Sequence, residues 1–189
     1  MPKQDLLRFK NNIQFEVERI DEMINRLLAL ATLESWESLQ NVEAVELATI
    51  IKKVIESKQP LLDEKNLEFE MLTSPELVVS GDSFLLTQLF DNLIQNAIEF
   101  SINSGKITIE AKADKCLELS IKDDGTGIPD YAMDKIFERF YSLARPASNK
   151  KSSGLGLSFV KQIVELHNGR VEIKNQTTAG VRVDIWLPL

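Results

Sequence analysis

The stretch LELSIKDDGTGIP, Leu117–Pro129, decides how this chain is read. Its first six residues, Leu117–Lys122, alternate apolar and polar, the period-two pattern of a half-buried strand. The alternation ends at Asp123, and Gly125, Gly127 and Pro129 then turn the backbone sharply. A strand that ends this way sets a carboxylate at the rim of a sheet, with backbone close beside it. Such an oxygen accepts from an exocyclic amine such as adenine N6. A guanine carbonyl at the same place would turn lone pairs toward it and be rejected. Asp-Gly turns are common, so the stretch takes its meaning from its surroundings.

Working outward, Gly105–Ala113 alternates in the same way and predicts an antiparallel partner strand. Short strands are expected at Leu67–Leu72 and Leu77–Val79, split by a Ser74-Pro75 turn, and again at Val171–Asn175 and Val181–Leu187. Helices are expected at Val45–Asp63, at Asp82–Phe100 with Asp82 as N-cap, and at Leu155–His167, closed by Asn168-Gly169. Asp124–Ser153 reads as a long irregular segment with a helical patch around Met133–Phe137, a length that is usually functional or mobile. The fold class is α+β: a two-layer α/β sandwich, about three helices on a mixed, mostly antiparallel sheet.

One long helix, Leu6 to about Leu33, precedes this region. Ile13, Val17, Ile20, Ile24, Leu27 and Ala31 form an apolar seam of heptad character, widened by Phe9, Met23, Leu28 and Leu30. A core helix of the main domain is one reading. The other, preferred because no later helix matches its length, is a dimer-forming helix.

Composition removes several classes. The chain has 189 residues, 22 Lys+Arg against 29 Asp+Glu, and a net charge of −7. That acidic balance opposes bulk electrostatic binding of nucleic acid or anionic lipid. No uncharged run approaches the roughly 20 residues of a membrane span, and no signal-peptide pattern opens the chain. A single cysteine, Cys116, and a single histidine, His167, exclude an internal disulfide and any multi-histidine metal site.

Three more elements carry chemistry. Asn92, Asn96 and Glu99 share one face of their helix, and amide oxygens are hard ligands suited to Mg²⁺. Ser153-Gly154-Leu155-Gly156-Leu157 opens a helix with free backbone N–H groups, a ready anion site that is neither a P-loop nor GxGxxG. Between them lie Phe137-Glu138-Arg139-Phe140-Tyr141 and the bases Arg145, Lys150 and Lys151. The aromatics could latch the segment by burial, and the bases could meet phosphate on closure.

In order and spacing, Asn-x-x-x-Asn on a helix, Asp-x-Gly-x-Gly after a strand, Phe-x-x-Phe in a long loop and Gly-x-Gly opening a helix resemble the N, G1, F and G2 boxes of sensor histidine kinases. That ATP-binding domain has the Bergerat, or GHKL, fold. The resemblance runs from about Val42 to Leu189, ending on Trp186-Leu187-Pro188. Arg19, Arg26, Leu27, Leu28 and Leu33-Glu34 look like the second helix of the family's dimerisation hairpin. Ile136–Leu143 with Lys151–Leu157 is similar to CreC-type sensor kinases.

The resemblance implies ATP and Mg²⁺ as cofactors, Asn96 as the principal Mg²⁺ ligand and Asn92 as a phosphate or Mg²⁺ neighbour, both as catalytic residues. It implies Asp123 as adenine reader, Gly125 and Gly127 shaping its turn, Phe100 beside the base and Ile128 as a further nucleotide contact. Arg139, Lys151, Ser153, Gly154, Leu155, Gly156 and Leu157 complete the implied nucleotide contacts, with 130–153 as the lid. Two departures stand out: Glu99 where many members have Lys or Arg, and Ser152 where a glycine is frequent. In the gyrase-, Hsp90- and MutL-type ATPases of the same fold, a glutamate four residues before the Mg²⁺ asparagine activates water. Here that position is Asn92, an amide that cannot act as a base, which favours transfer to an external nucleophile.

A histidine kinase needs an acceptor histidine on the first hairpin helix. His167 instead ends a helix before Asn168-Gly169, a structural place. Residues 1–36 are therefore expected to be the second helix of a truncated phosphotransfer hairpin, and 37–189 the ATP-binding catalytic domain. The acceptor would lie upstream. Expected partners are ATP, a response-regulator receiver domain and a second copy through the N-terminal helix, with no nucleic acid. The expected place is the cytoplasmic side, with membrane contact only through upstream segments. The alternatives are a GHKL-type ATPase and a non-catalytic dimerising adaptor with a vestigial nucleotide pocket.

Overall fold

A computed structural model describes residues 3–73, 77–145 and 152–189, so Ser74-Pro75, Lys150 and Lys151 lie outside the described residues, as does the side chain of Arg19. The chain divides into two compact units, Met1–Ser35 and Trp36–Leu189.

The first unit is α1 (Lys3–Glu34). Its seam residues Ile13, Val17, Ile20, Ile24 and Leu28 are each about half exposed or more. An apolar stripe of this kind on a helix is unusual unless a partner covers it. No helix among the described residues is long and apolar enough to cross a membrane.

The second unit runs β1 (Glu43–Glu46), α2 (Leu47–Lys65), β2 (Glu68–Thr73), β3 (Val78–Gly81), α3 (Ser83–Phe100), β4 (Lys106–Ala113), β5 (Leu117–Asp123), α4 (Asp130–Met133), α5 (Gly156–Leu166), β6 (Arg170–Asn175) and β7 (Val181–Leu187). Five strands form one sheet in the order β2-β4-β5-β7-β6, parallel only at β2–β4, while β1 and β3 pair apart from it. This is the mixed, mostly antiparallel two-layer sandwich the alternation predicts.

Strand alternation decides which face is covered. Ile107, Ile109, Leu119, Ile121, Val183 and Ile185 are buried, as are Leu86, Leu89, Phe90, Leu93 and Ile94 of α3 and Val160 and Ile163 of α5. Helix α3 contacts α2, α5 and β5, so it is the middle helix of the layer. The alternate strand positions carry ion pairs, Lys106–Glu70 at 2.9 Å and Lys122–Glu110 at 2.7 Å, as a solvated sheet face does.

Two expectations are corrected. The helix expected from Val45 starts at Leu47, because Glu43–Glu46 pairs antiparallel with β3. The helical patch expected around Met133–Phe137 lies earlier, at Asp130–Met133. Pro129, with its fixed φ, and the acidic Asp130 in the first turn set the start there.

Candidate functional site

Asp123 ends β5 and is 7% exposed. Its Oδ1 accepts from the N–H of Gly125 at 2.8 Å and of Val181 at 3.3 Å. Burial nonetheless dominates and pushes its carboxyl up to about 6, because desolvation penalises the ionised form more than two N–H donors stabilise it.

The turn after Asp123 is tied to the far end of the sheet. Asn175, the last residue of β6, accepts from the Ile128 N–H at 2.7 Å and donates to the Ile128 carbonyl at 2.8 Å. Gln176 Nε2 donates to the Asp123 carbonyl at 2.8 Å. Gly180 has φ +85 and presses so closely on this turn that a Cβ there would lie 1.7 Å from the Asp123 carbonyl oxygen.

Helix α3 supplies the second wall. The Asp82 carboxylate caps it, accepting from Leu85 N–H at 3.1 Å, and the Asp82 N–H donates to His167 Nε2 at 3.1 Å. His167 Nδ1 lies 2.7 Å from the Ile163 carbonyl and donates to it in the tautomer that leaves Nε2 as acceptor. His167 is buried with both ring nitrogens engaged, and burial lowers its pKa. It pins the end of α5 to the start of α3. At the other end of α3, Lys65 Nζ donates to the carbonyls of Ile98, Glu99 and Ser101 at 2.6, 2.9 and 3.1 Å.

Asn92 and Asn96 face the start of α5. A Cβ on Gly156 would sit 3.1 Å from Asn92 Oδ1 and 4.0 Å from Asn96 Nδ2. Asn92 Nδ2 donates back to the Gln88 carbonyl at 2.8 Å, which commits Oδ1 to the α5 side. Among the described residues, the half-buried Asn96 amide has no hydrogen-bond partner. Helix α5 has no side-chain cap, so the N–H groups of its first turn stay free of one. Gly154, at φ +70, lets this turn pass the Phe140 backbone, where a Cβ would meet the Phe140 carbonyl carbon at 2.5 Å.

Between these walls opens a cleft. Leu93, Ala97, Ile121, Ile173, Val181 and Val183 make its apolar floor. Phe100, Asp123, Gly127 and Ile128 stand at one end, Asn96, Gly154, Gly156 and Leu157 also line it, and Ile136, Tyr141 and Leu143 come from the connecting segment. The structure thus gathers most of the sequence-predicted set. Asn92 lies behind Gly156, and Gly125, Ser153 and Leu155 are near the cleft without lining it. Leu155 is 1% exposed, its side chain taken by the core. Arg139 is exposed and does not line the cleft; Lys151 lies outside the described residues.

The Phe-x-x-Phe pair divides: Phe137 is half-buried with Lys161 of α5 6.0 Å from its ring, while Phe140, at φ 63, is 62% exposed. Of this pair only Phe137 is placed to act as a latch, while Tyr141, the third aromatic of the run, is half-buried on the cleft. Glu99, where the resemblance leads one to expect a cation, receives one: Arg145 lies 2.7 Å from its carboxylate and Gln95 donates to it at 2.8 Å. Sequence reasoning missed the apolar floor, Lys65, Asn175, Gln176 and Gly180. The phase of β5 and β7 marks Ile121 and Val183 as inward-facing, but nothing in the sequence separates cleft from core.

An apolar slot with one carboxylate on its wall suits a flat heteroaromatic ring bearing an amine. Amide oxygens and free helix-start N–H groups beside it suit anionic oxygens and a hard cation. The comparisons agree with this chemistry. Residues 81–189, more than half of the chain, match the family described as histidine kinase-, DNA gyrase B- and HSP90-like ATPase. The sensor protein CreC of Escherichia coli (strain K12) is 39% identical over 187 residues, 98% of this chain and 39% of the relative. The chain spans well under half the length of the curated relatives it matches. A nucleotide-free catalytic domain of histidine kinase ThkA superposes with TM-score 0.70 at 28% identity, covering 79% of this chain and 98% of that one. ThkA in complex with the response regulator protein TrrA shares the fold, with TM-score 0.76 at 24% identity over all of this chain and 52% of that one. From its fold, its cleft and this match, the chain belongs to the histidine kinase-, DNA gyrase B- and HSP90-like ATPase family.

Proposed function

We propose that this chain is the ATP-binding catalytic region of a two-component sensor histidine kinase, which transfers the γ-phosphoryl of ATP to a histidine outside these residues and thence to a response-regulator aspartate. The observation that carries the reading is the pairing of two features in one cleft. A buried carboxylate ends β5, and two amides of α3 face the uncapped start of α5.

Asp123 would read adenine N6, with Phe100 and Ile128 flanking the base. The first-turn N–H groups at Gly156 and Leu157, with Gly154, would hold phosphate oxygens. The residues fit Mg²⁺, since Asn96 offers a hard amide oxygen that no described group uses, with Asn92 beside it. Bound there, Mg²⁺ would neutralise phosphate charge. The chain's own work is positioning, through α3 and the start of α5. The amide of Asn92 cannot take a proton from water, which favours transfer over steady hydrolysis. The engagement of His167 at both ring nitrogens supports an acceptor histidine other than this one.

The exposed seam of α1 supports a homodimer, and the ThkA–TrrA complex supports a receiver domain as partner. A cytoplasmic position behind a membrane anchor belongs to the same proposal. Calorimetry with ATP and Mg²⁺ tests the reading. Binding by wild type, lost in Asp123→Ala, is expected; no binding by wild type, or equal binding by the variant, would refute it.

A further inference from the structure

We infer that Asn175, on the edge strand β6, is a positioning residue for the base end of the cleft. It sets where Ile128 stands against a purine. The inference rests on the nucleotide reading of the cleft and adds to it a residue from a different part of the chain.

The segment from Asp123 to Ile128 is tied midway by the Gly125–Ser101 bridge and the Lys106 N–H held by Asp124 Oδ2, and beyond these it has two end points. The near point is the end of β5, paired with both β4 and β7. The far point is Ile128, which lines the cleft beside Asp123. Past the Gly125–Ser101 bridge, Gly127 at φ +77 lies before Ile128, so that last stretch has little stiffness of its own. Among the described residues, the Ile128 N–H and carbonyl find their hydrogen bonds in one side chain, that of Asn175. An amide carries one acceptor and one donor group, and here Oδ1 takes the N–H while Nδ2 serves the carbonyl. The side chain therefore does what a neighbouring strand's backbone does, extending the sheet past the end of β5.

The same turn between β6 and β7 secures Asp123 itself. Gln176 binds the Asp123 carbonyl, Val181 N–H binds Oδ1, and Gly180 packs on that carbonyl. Asp123 thus keeps three attachments besides its own strand pairing, whereas Ile128 depends on Asn175. Loss of Asn175 should leave the carboxylate in place and free the apolar wall opposite it. Asn175 is itself exposed, so its replacement removes no core packing.

The effect should fall on the base and spare the phosphates, which a general loss of structure would not do. Wild type, Asn175→Ala and the isosteric Asn175→Asp, which keeps only the acceptor, are titrated with ATP·Mg²⁺, adenosine and inorganic tripolyphosphate·Mg²⁺, with Asp123→Ala as reference. Two hydrogen bonds of ordinary net strength correspond to about a tenfold effect. Asn175→Ala should weaken adenosine and ATP by about tenfold and Asn175→Asp, which loses one of the two bonds, by about threefold, each leaving tripolyphosphate within twofold. Unchanged adenosine affinity, or equal losses for adenosine and tripolyphosphate, would overturn the inference. If wild type binds no ATP, the nucleotide reading fails first; if wild type binds and Asp123→Ala does not, the Asn175 result stands alone.

Discussion

The two ends of the cleft are built differently. At the base end the polar groups are mostly spent within the protein: Asp123 Oδ1 takes two N–H groups, and Asn175 and Gln176 satisfy the turn around it. At the other end they are held open. Asn96 has no partner among the described residues, and α5 starts without a side-chain cap. A site that must discriminate one base from another needs groups fixed beforehand, because selectivity comes from what a wrong ligand leaves unpaired. A site for phosphates and a metal needs donors that wait for the ligand. The first end should resist change in shape, and the second should be completed by what binds.

The largest effect should come from breaking the base end. Asp123→Ala and Asp123→Asn are each expected to lower ATP affinity at least about 100-fold by calorimetry, since the carboxylate proposed to face the exocyclic amine is removed or turned neutral. Asp123→Asn, which keeps an acceptor oxygen for the Gly125 and Val181 N–H groups, should not cost stability. Raising a carboxyl from 3.8 to about 6 means that ionised Asp123 opposes folding by about 3 kcal/mol at neutral pH. Asp123→Asn should therefore unfold at higher denaturant than wild type at pH 7. At the open end, Asn96→Ala should weaken ATP about 30-fold with Mg²⁺ present and leave adenosine within twofold, which separates the two ends directly.

A pH series sharpens the contrast. ATP affinity should fall about tenfold for each unit below about pH 6, as Asp123 takes up a proton. Stability responds in opposite senses at the two buried groups. Asp123 has a raised pKa, so the folded state holds the extra proton and its contribution improves as pH falls from about 6 toward 3.8. His167 has a lowered pKa, so its contribution is full above 6.5 and is lost as pH falls below that value. Denaturant titrations of Asp123→Asn and of His167→Gln across pH 4–8 should show each slope vanish in turn. The smallest effect belongs to Glu99→Gln, which removes a partly exposed ion pair with Arg145. A double-mutant cycle should give about 1 kcal/mol or less.

The same contrast explains what the sequence could express. Alternation in Lys106–Ala113, Leu117–Asp123 and Val181–Leu187 is local, so those strands were legible, as was the Asp82 cap of α3. β1 was not, because four residues make too short a run for alternation to separate it from the helix that follows. Asp123, Asn92, Asn96 and the Gly154–Gly156 turn belong to contiguous motifs with characteristic residue types. Asn175 and Gln176 act on backbone groups 47 and 53 positions away, so no local pattern announces them. Lys65 reaches the end of α3 across 33 to 36 positions and is equally silent. Motif residues that face a ligand were readable; the residues that hold those motifs in place were set by topology.

The central claim is transfer to a histidine outside this chain, and one incubation addresses it. The chain is mixed with Mg²⁺ and ATP labelled at the γ-phosphate, with and without the histidine-bearing hairpin of a sensor kinase. Acid-labile label on the hairpin histidine, absent from the chain alone and absent when Asn96→Ala replaces wild type, is the predicted result. Label on His167, or steady release of inorganic phosphate at the same rate with and without the hairpin, would contradict it.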